Sequence, residues 1–552
     1  MNRRTFLKNA SASGMVLMAP LSLSLSSTAS AATDLSPVGQ YFVFAHLGGG
    51  WEPTTFCNPH GNKLRSTVGV ELGKQASQVR NAGSPVNRFP ASAIRRAQDI
   101  YAGTSSIDAD LKYAPYLGTF NQAGAAGELD DDSANQGLTS VHIQQILSGE
   151  LVADLLTAAP SAGFSWQGTK TVAQISVNAR AIIEGTVTTI ELGAIATDEL
   201  VDRNLALNGT QMAANLFVYD AFVCLHADQL RVLNGVDNRT NSHDTGTMYA
   251  DTGSMSAGYP DFSALYAAVQ GADRPLAWMT DGRGNDEPAG LVARSAAADA
   301  NFFGILGNPT NDMVEPFANA LDIAQTKRSQ LQASQENLPL RSQYRSQLYL
   351  VRDQGLEFAG VAAQISDPVA GSPADLIRLA AGGSGTRNHM RIGAAGFSTG
   401  MASSMQVGFG GFDTHGDHDN SHYPRIRTVL SDLHYLFQAL EVYGVRQQTT
   451  VVVGSDFGRT PWYNDGDGKD HWAVTSYMLL GNGVAGGTAV NATNGLIEAL
   501  NVDPVSMTPV ASGGVKMTAT HLHAEMRKLA LIDSHPFALR FPLEAEEIPI
   551  FG

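Results

Sequence analysis

The sequence has little cysteine, few basic residues and little charge of either sign. Only Cys57 and Cys224 occur in 552 residues. Two thiols so far apart build neither a cysteine-based metal site nor a dense disulfide framework. They permit one disulfide or two separate thiols. Lys and Arg number 36 against 52 Asp and Glu, giving a formal net charge of −16. Phosphate backbones are held by concentrated cations, so no nucleic-acid partner is expected. Apolar residues make up 43% and charged residues 16%, a balance that builds a core rather than a disordered chain. Glycine is abundant at 56 but has no collagen period. No Gly-x-Gly-x-x-Gly or phosphate-loop lysine follows a strand, and no Gly-x-Ser-x-Gly elbow occurs. The nucleotide, nicotinamide and serine-esterase readings therefore fall away.

What is present begins with an address. Arg3-Arg4-Thr5-Phe6-Leu7-Lys8 is similar to a twin-arginine export signal, and a weakly apolar, Ser-rich run from Gly14 to Leu25 follows. Ala29-Ser30-Ala31 fits the small-residue cleavage pattern. The run is too short for an anchor, and no later stretch is long enough to span a bilayer. The expectation is a signal peptide at 1–31, then an exported protein, periplasmic or extracellular, with no transmembrane segment after cleavage.

The rest, 32–552, reads as a single α/β domain with a long insertion at about 58–209. Tyr41 to His46 is a continuous apolar run that ends in Gly48-Gly49-Gly50, the pattern of a buried parallel strand feeding a loop. The insertion is polar and Gly-rich, with helical pieces such as Val141 to Leu147. Further strands are expected at Leu230–Leu233, Pro275–Met279, Met405–Phe409 and Thr450–Gly454. Helices are expected at Phe222–Ala227, after Asp244, at Gln325–Ala363, at Val429–Tyr443 and at Ala524–Leu531. Strand–helix alternation argues a doubly wound, mostly parallel sheet, in which ligands bind beyond the carboxyl ends of the strands.

Several polar constellations fall at such ends. Gly410-Gly411-Phe412-Asp413-Thr414-His415-Gly416-Asp417-His418 follows a strand and offers a carboxylate and two imidazoles as metal ligands. Ser455-Asp456-Phe457-Gly458-Arg459-Thr460 ends the next strand; Asp456 suits a metal and Arg459 an oxyanion, or the two form an ion pair that holds the loop. Asp470-His471 is another carboxylate–imidazole pair, and the acidic run before it lacks the spacing of a calcium loop. Ser242-His243 opens a helix, where the dipole favours an oxyanion and Ser242 is a possible nucleophile or a plain N-cap. Glu52, after the first strand, is a further possible oxygen ligand. His521 and His523 open a late helix, where capping and surface roles are expected.

The Arg3-Arg4 signal, Gly410 to His415, Ser455 to Thr460 and Asp470-His471-Trp472 together resemble the domain of unknown function 1501 family. That family is similar to the alkaline phosphatase and sulfatase superfamily. The resemblance implies an alkaline-phosphatase-like fold, one or two divalent metals (Zn, Mn, Ca or Mg), and hydrolysis of phosphate or sulfate esters. It implies that Asp413, His415 or His418, and His471 form one metal site. Asp456, Glu52 and the Ser242-His243 turn would face a second. Phe457 stands where the superfamily's phosphatases have a histidine, and the sulfatase Cys-x-Pro-x-Arg motif is absent, so one metal fits better than two. The leading expectation is an exported metal-dependent hydrolase acting on a small-molecule or glycan ester. The alternative is a non-catalytic envelope binding protein on the same fold with a degenerate metal site.

Overall fold

The computed structural model describes residues 39–58, most of 218–296 and nearly all of 368–552, with Ile183, Glu184 and Ile365. The export signal, Cys224, almost all of the expected insertion and the helices expected at 141–147 and 325–363 lie outside the described residues.

The sheet is laid down around strand β1 (Tyr41–Leu47), whose every residue is buried. Side chains alternate across a strand, so this apolar run feeds two cores at once. Phe42 meets Phe262 and Tyr266 edge-on, at ring-centroid distances of 5.1 and 4.7 Å. Tyr41 points the other way, stacks on Phe397 at 4.6 Å and donates its hydroxyl to the Phe397 carbonyl. Helices therefore cover both faces.

In chain order there follow β2 (Leu230–Asp237), α1 (His243–Thr252), α2 (Phe262–Gln270), β3 (Trp278–Thr280), β4 (Arg294–Ala296), α3 (Pro373–Ala380) and α4 (Gly385–Ser398). Next come β5 (Ser404–Phe409), α5 (His418–Val442), β6 (Thr449–Ser455), β7 (Gly458–Arg459), β8 (His471–Trp472), β9 (Val474–Gly481) and β10 (Thr488–Val490). Three short strands form a separate small sheet before α6 (Ala519–Leu529) and α7 (Pro536–Leu539). The main sheet has eight strands in the order β10-β2-β9-β6-β1-β5-β3-β4. β1 pairs in parallel with β5 and β6, and β9 runs antiparallel to both its neighbours, β6 and β2. The sheet is thus mixed but mostly parallel. No helix among the described residues is long and apolar enough to cross a membrane.

The expected strands at Tyr41–His46, Leu230–Leu233, Pro275–Met279, Met405–Phe409 and Thr450–Gly454 have counterparts in β1, β2, β3, β5 and β6, whereas the sequence reading has no element at α2, α3, α4, β4 or β7 to β10; where the two overlap, the differences have local causes. β2 runs on past the expected end at Leu233 because Asn234-Gly235 is absorbed as a bulge with Gly235 at φ 64°. α5 begins at His418, a full three turns before the apolar stripe of Leu430, Leu433, Leu436 and Leu440 that marks it in the sequence. The surface roles expected of His521 and His523 do not hold. His521 caps α6 together with Thr518 and is buried. His523 lies against Phe44 and Phe262, where burial pushes its imidazole down to about 3.

This topology sends one set of loops to one edge. β1, β2, β5 and β6 all end there. β9, being reversed, begins there, so β8 immediately before it reaches the same edge. Pairing of Arg459 with His471 in the β7–β8 ribbon fixes the two segments side by side.

Candidate metal centre

Four side chains from three loops converge at this edge. Asp413 comes from the Gly-Gly loop after β5, with His415 two positions on. His471 comes from β8, and His243 from the first turn of α1 after β2. Asp413 Oδ1 lies 3.1 Å from His415 Nε2, 3.3 Å from His471 Nε2 and 3.4 Å from His243 Nε2. The Nε2 atoms of His415 and His471 are themselves 2.9 Å apart. Ligand atoms of His243, Asp413 and His471 all lie within 4.8 Å of one another, close enough to hold one metal ion.

The opposite nitrogen of each ring is engaged. His243 Nδ1 donates to Asp456 Oδ2 (2.7 Å), His415 Nδ1 to Asp470 Oδ1 (2.8 Å) and His471 Nδ1 to the carbonyl of Asn241 (2.7 Å). A carbonyl oxygen only accepts, so Nδ1 of His471 carries a proton, and in the neutral ring Nε2 carries the lone pair. When the rings are neutral, the other two follow the same rule. Lone pairs then face each other and a carboxylate oxygen, and this repulsion is relieved only by a proton or a cation between them. Oriented imidazoles with engaged outer nitrogens are what a metal centre requires.

Charge and exposure fit the same use. Burial lifts the Asp413 carboxyl, but the hydrogen bond and charge of Arg459, followed by His471 and His415, outweigh it and bring it down to about 2. Asp470 is likewise lowered, its burial outweighed by His415 and Asn464. The Asp413 side chain is 48% exposed and that of His243 37%, so the cluster opens to solvent.

The remaining residues singled out by the sequence lie around the cluster in other roles. Asp456 is buried behind His243, and its Oδ1 accepts from the amides of Gly49 and Gly50, both at 3.0 Å. Arg459 is fully buried rather than open to an oxyanion. Its guanidinium donates to Asp413 and to the carbonyls of Gly49, Gly50 and Lys469. Ser242 is the exposed N-cap of α1, and its side chain makes no capping bond. Phe457 is buried under the rings of His243 and His471.

Glu52 and His418 are not at this centre. They form a second, closed cluster: His418 Nε2 donates to Glu52 Oε2 (2.9 Å), and Lys469 Nζ and the Thr54 hydroxyl both donate to Glu52 Oε1. Burial raises the Glu52 carboxyl, but Lys469 and then His418 outweigh it and hold it well below the ordinary carboxylate value. Burial, with the charge of His418 behind it, pushes the His422 imidazole well down, in keeping with its Nε2 accepting from the Glu52 amide at 2.9 Å.

Sequence reasoning placed His243 with a nucleophile turn rather than among the ligands, because its strand, β2, is far from the others along the chain. It missed Lys469 and His422, which carry no motif of their own. It also missed the Asn241 carbonyl, which no side-chain pattern can reveal. Comparisons with curated proteins and with solved structures return no match to the chain. Residues 385–539, which carry Asp413, His415, Asp456, Arg459 and His471 but not His243, match the family described as Protein of unknown function (DUF1501).

Proposed function

We propose that this protein is an exported, metal-dependent hydrolase of phosphate or sulfate esters, working in the periplasm or outside the cell on an alkaline-phosphatase-like fold. The observation that supports this reading is the open cluster itself: Asp413, His243 and His471 bring ligand atoms within reach of one ion, with His415 beside them, while the group remains half-exposed. A closed structural site would bury its ligands; an open one leaves room for a substrate oxygen. The donor set, one carboxylate from Asp413 and two imidazoles from His243 and His471, with His415 beside it, is chemically suited to a divalent transition ion.

A divalent ion held there supplies Lewis-acid polarisation of an ester oxygen and activation of water. Asp413 keeps its negative charge in place through Arg459, which is tied to three main-chain carbonyls and cannot swing away. The Ser242 hydroxyl, at the open N-terminus of α1 and one residue from His243, is the side-chain nucleophile in this reading. Phe457 closes the floor beneath the imidazoles and keeps water from the buried side.

The test is metal content of protein recovered after export, followed by turnover of a panel of phosphate monoesters, phosphodiesters and sulfate esters. Bound metal with cleavage of one class is the expected result, and Ser242→Ala should lower kcat more than KM. Bound metal without turnover would turn the assignment to the non-catalytic binding protein. Protein with neither metal nor turnover removes the proposal.

A further inference from the structure

We infer that Asp456 is a positioning residue and not a metal ligand: it fixes His243 as the Nδ1–H tautomer, so that Nε2 offers its lone pair to the centre. The inference rests on the metal-centre reading for its consequence, but not for the tautomer itself.

The buried carboxylate has its acceptor positions already filled. Oδ1 accepts from the Gly49 amide (3.0 Å) and the Gly50 amide (3.0 Å), and lies 3.1 Å from the Ser455 hydroxyl, which donates more closely to the Leu47 carbonyl at 2.5 Å. Oδ2 is also within 3.1 Å of the Gly49 amide and accepts from His243 Nδ1 at 2.7 Å. The glycine loop is shaped for this embrace. Gly49 and Gly50 have φ of +120° and +86°, values that side chains disfavour, and a Cβ on Gly49 would sit 2.2 Å from the Asp413 amide. The helix packs closely over the main chain of Asp456, because a Cβ on Gly246 in α1 would sit 2.7 Å from the Asp456 carbonyl. Asp456 thus has one rigid direction left, and His243 occupies it. Such outer carboxylates orient metal-binding imidazoles and raise their basicity. His415 and His471 have outer partners too, but the partner of His243 is the deeply buried one.

An isosteric change isolates the effect. In Asp456→Asn, the amide oxygen can keep the two amide donors of Gly49 and Gly50, which turns the amide NH₂ toward His243. That group donates, so His243 Nδ1 must accept, the proton moves to Nε2, and the lone pair facing the centre is lost.

The experiment uses ¹⁵N-imidazole NMR on the metal-free full chain at about pH 8, where an unperturbed imidazole is neutral, and zinc titration calorimetry on the same samples. The native chain should show His243 protonated on Nδ1, and Asp456→Asn should show it protonated on Nε2, with unchanged circular dichroism. Zinc affinity should fall by about 10–100-fold in the variant. A native His243 already protonated on Nε2 overturns the inference, and it does so even if the variant fails to fold. An unchanged tautomer and zinc affinity in a folded Asp456→Asn also overturns it. A native chain that binds no zinc overturns the metal-centre reading instead, while the tautomer measurement still decides the role of Asp456.

Discussion

The two histidine–carboxylate clusters at the strand ends use the same residue types for opposite purposes. In the closed one, Glu52 has an ammonium, an imidazole and two hydroxyls around it, and the side chains of Glu52, His418 and Lys469 are almost wholly buried. In the open one, Asp413 has a single fixed cation, Arg459, and three imidazoles whose Nε2 atoms lie 3.1, 3.3 and 3.4 Å from its Oδ1. A buried carboxylate survives only when its charge and lone pairs are answered within the protein. A half-exposed cluster can leave donors unanswered, because water or an ion completes them. Asp413 lies in the loop after β5 and His418 opens the helix that follows it, and only their partners set the sealed cluster apart from the open one.

The largest expected effect breaks the closed cluster. Glu52→Gln leaves the Lys469 ammonium buried without its counter-charge and should cost about 3–5 kcal/mol in urea unfolding. A loss below about 1 kcal/mol would mean that the cluster is solvated and the contrast between the two is false.

Next in size is the loop that joins them. Gly49→Ala forces a side chain into a left-handed backbone and against the Asp413 amide; strain of this kind costs about 1–3 kcal/mol. Because the Gly49 amide also holds Asp456, the variant should lose zinc affinity as well as stability, which calorimetry and thermal melts can read separately.

His471→Ala sharpens the comparison from the open side. It should lower stability by about 1 kcal/mol or less, yet reduce metal occupancy at least as strongly as loss of an orienting partner, about 10–100-fold. A large stability loss with unchanged metal content would make this cluster structural too.

The smallest effect concerns pH. The folded Asp413 titrates at about 2, below its unfolded value. Its contribution is therefore present above the unfolded carboxylate range, near about pH 4, and fades as pH falls through the folded value. Being half-exposed, it should contribute less than about 1 kcal/mol. Carboxyl ¹³C NMR should find its midpoint near 2; a midpoint at the unperturbed value would show that Arg459 does not hold it.

Local pattern carried the fold class. The apolar run Tyr41–Leu47, the β-branched Thr449–Ser455 and the leucine stripe of α5 show their elements directly, because burial on a strand or a helix imposes a period on sequence. The same reading brought Asp413, His415, Asp456 and His471 to one edge, since loops after parallel strands must converge there. His471 arrived by a different route, ahead of the reversed strand β9 rather than after a parallel one. Strand direction depends on pairing with distant segments and leaves no trace in the eight residues of β9 themselves.

By itself, then, the sequence determined that several candidate polar residues gather at strand ends, because residue type and periodicity are local properties. Only the tertiary structure decided how they divide. It put Glu52 and His418 with Lys469 in a sealed network, brought His243 across from β2 to Asp413, and turned Arg459 and Asp456 into buried supports. The physical reason is that a ligand, a support and a salt bridge differ in solvent access and in the direction of a lone pair. Both are set by neighbours remote along the chain, and neither is a property of the residue alone.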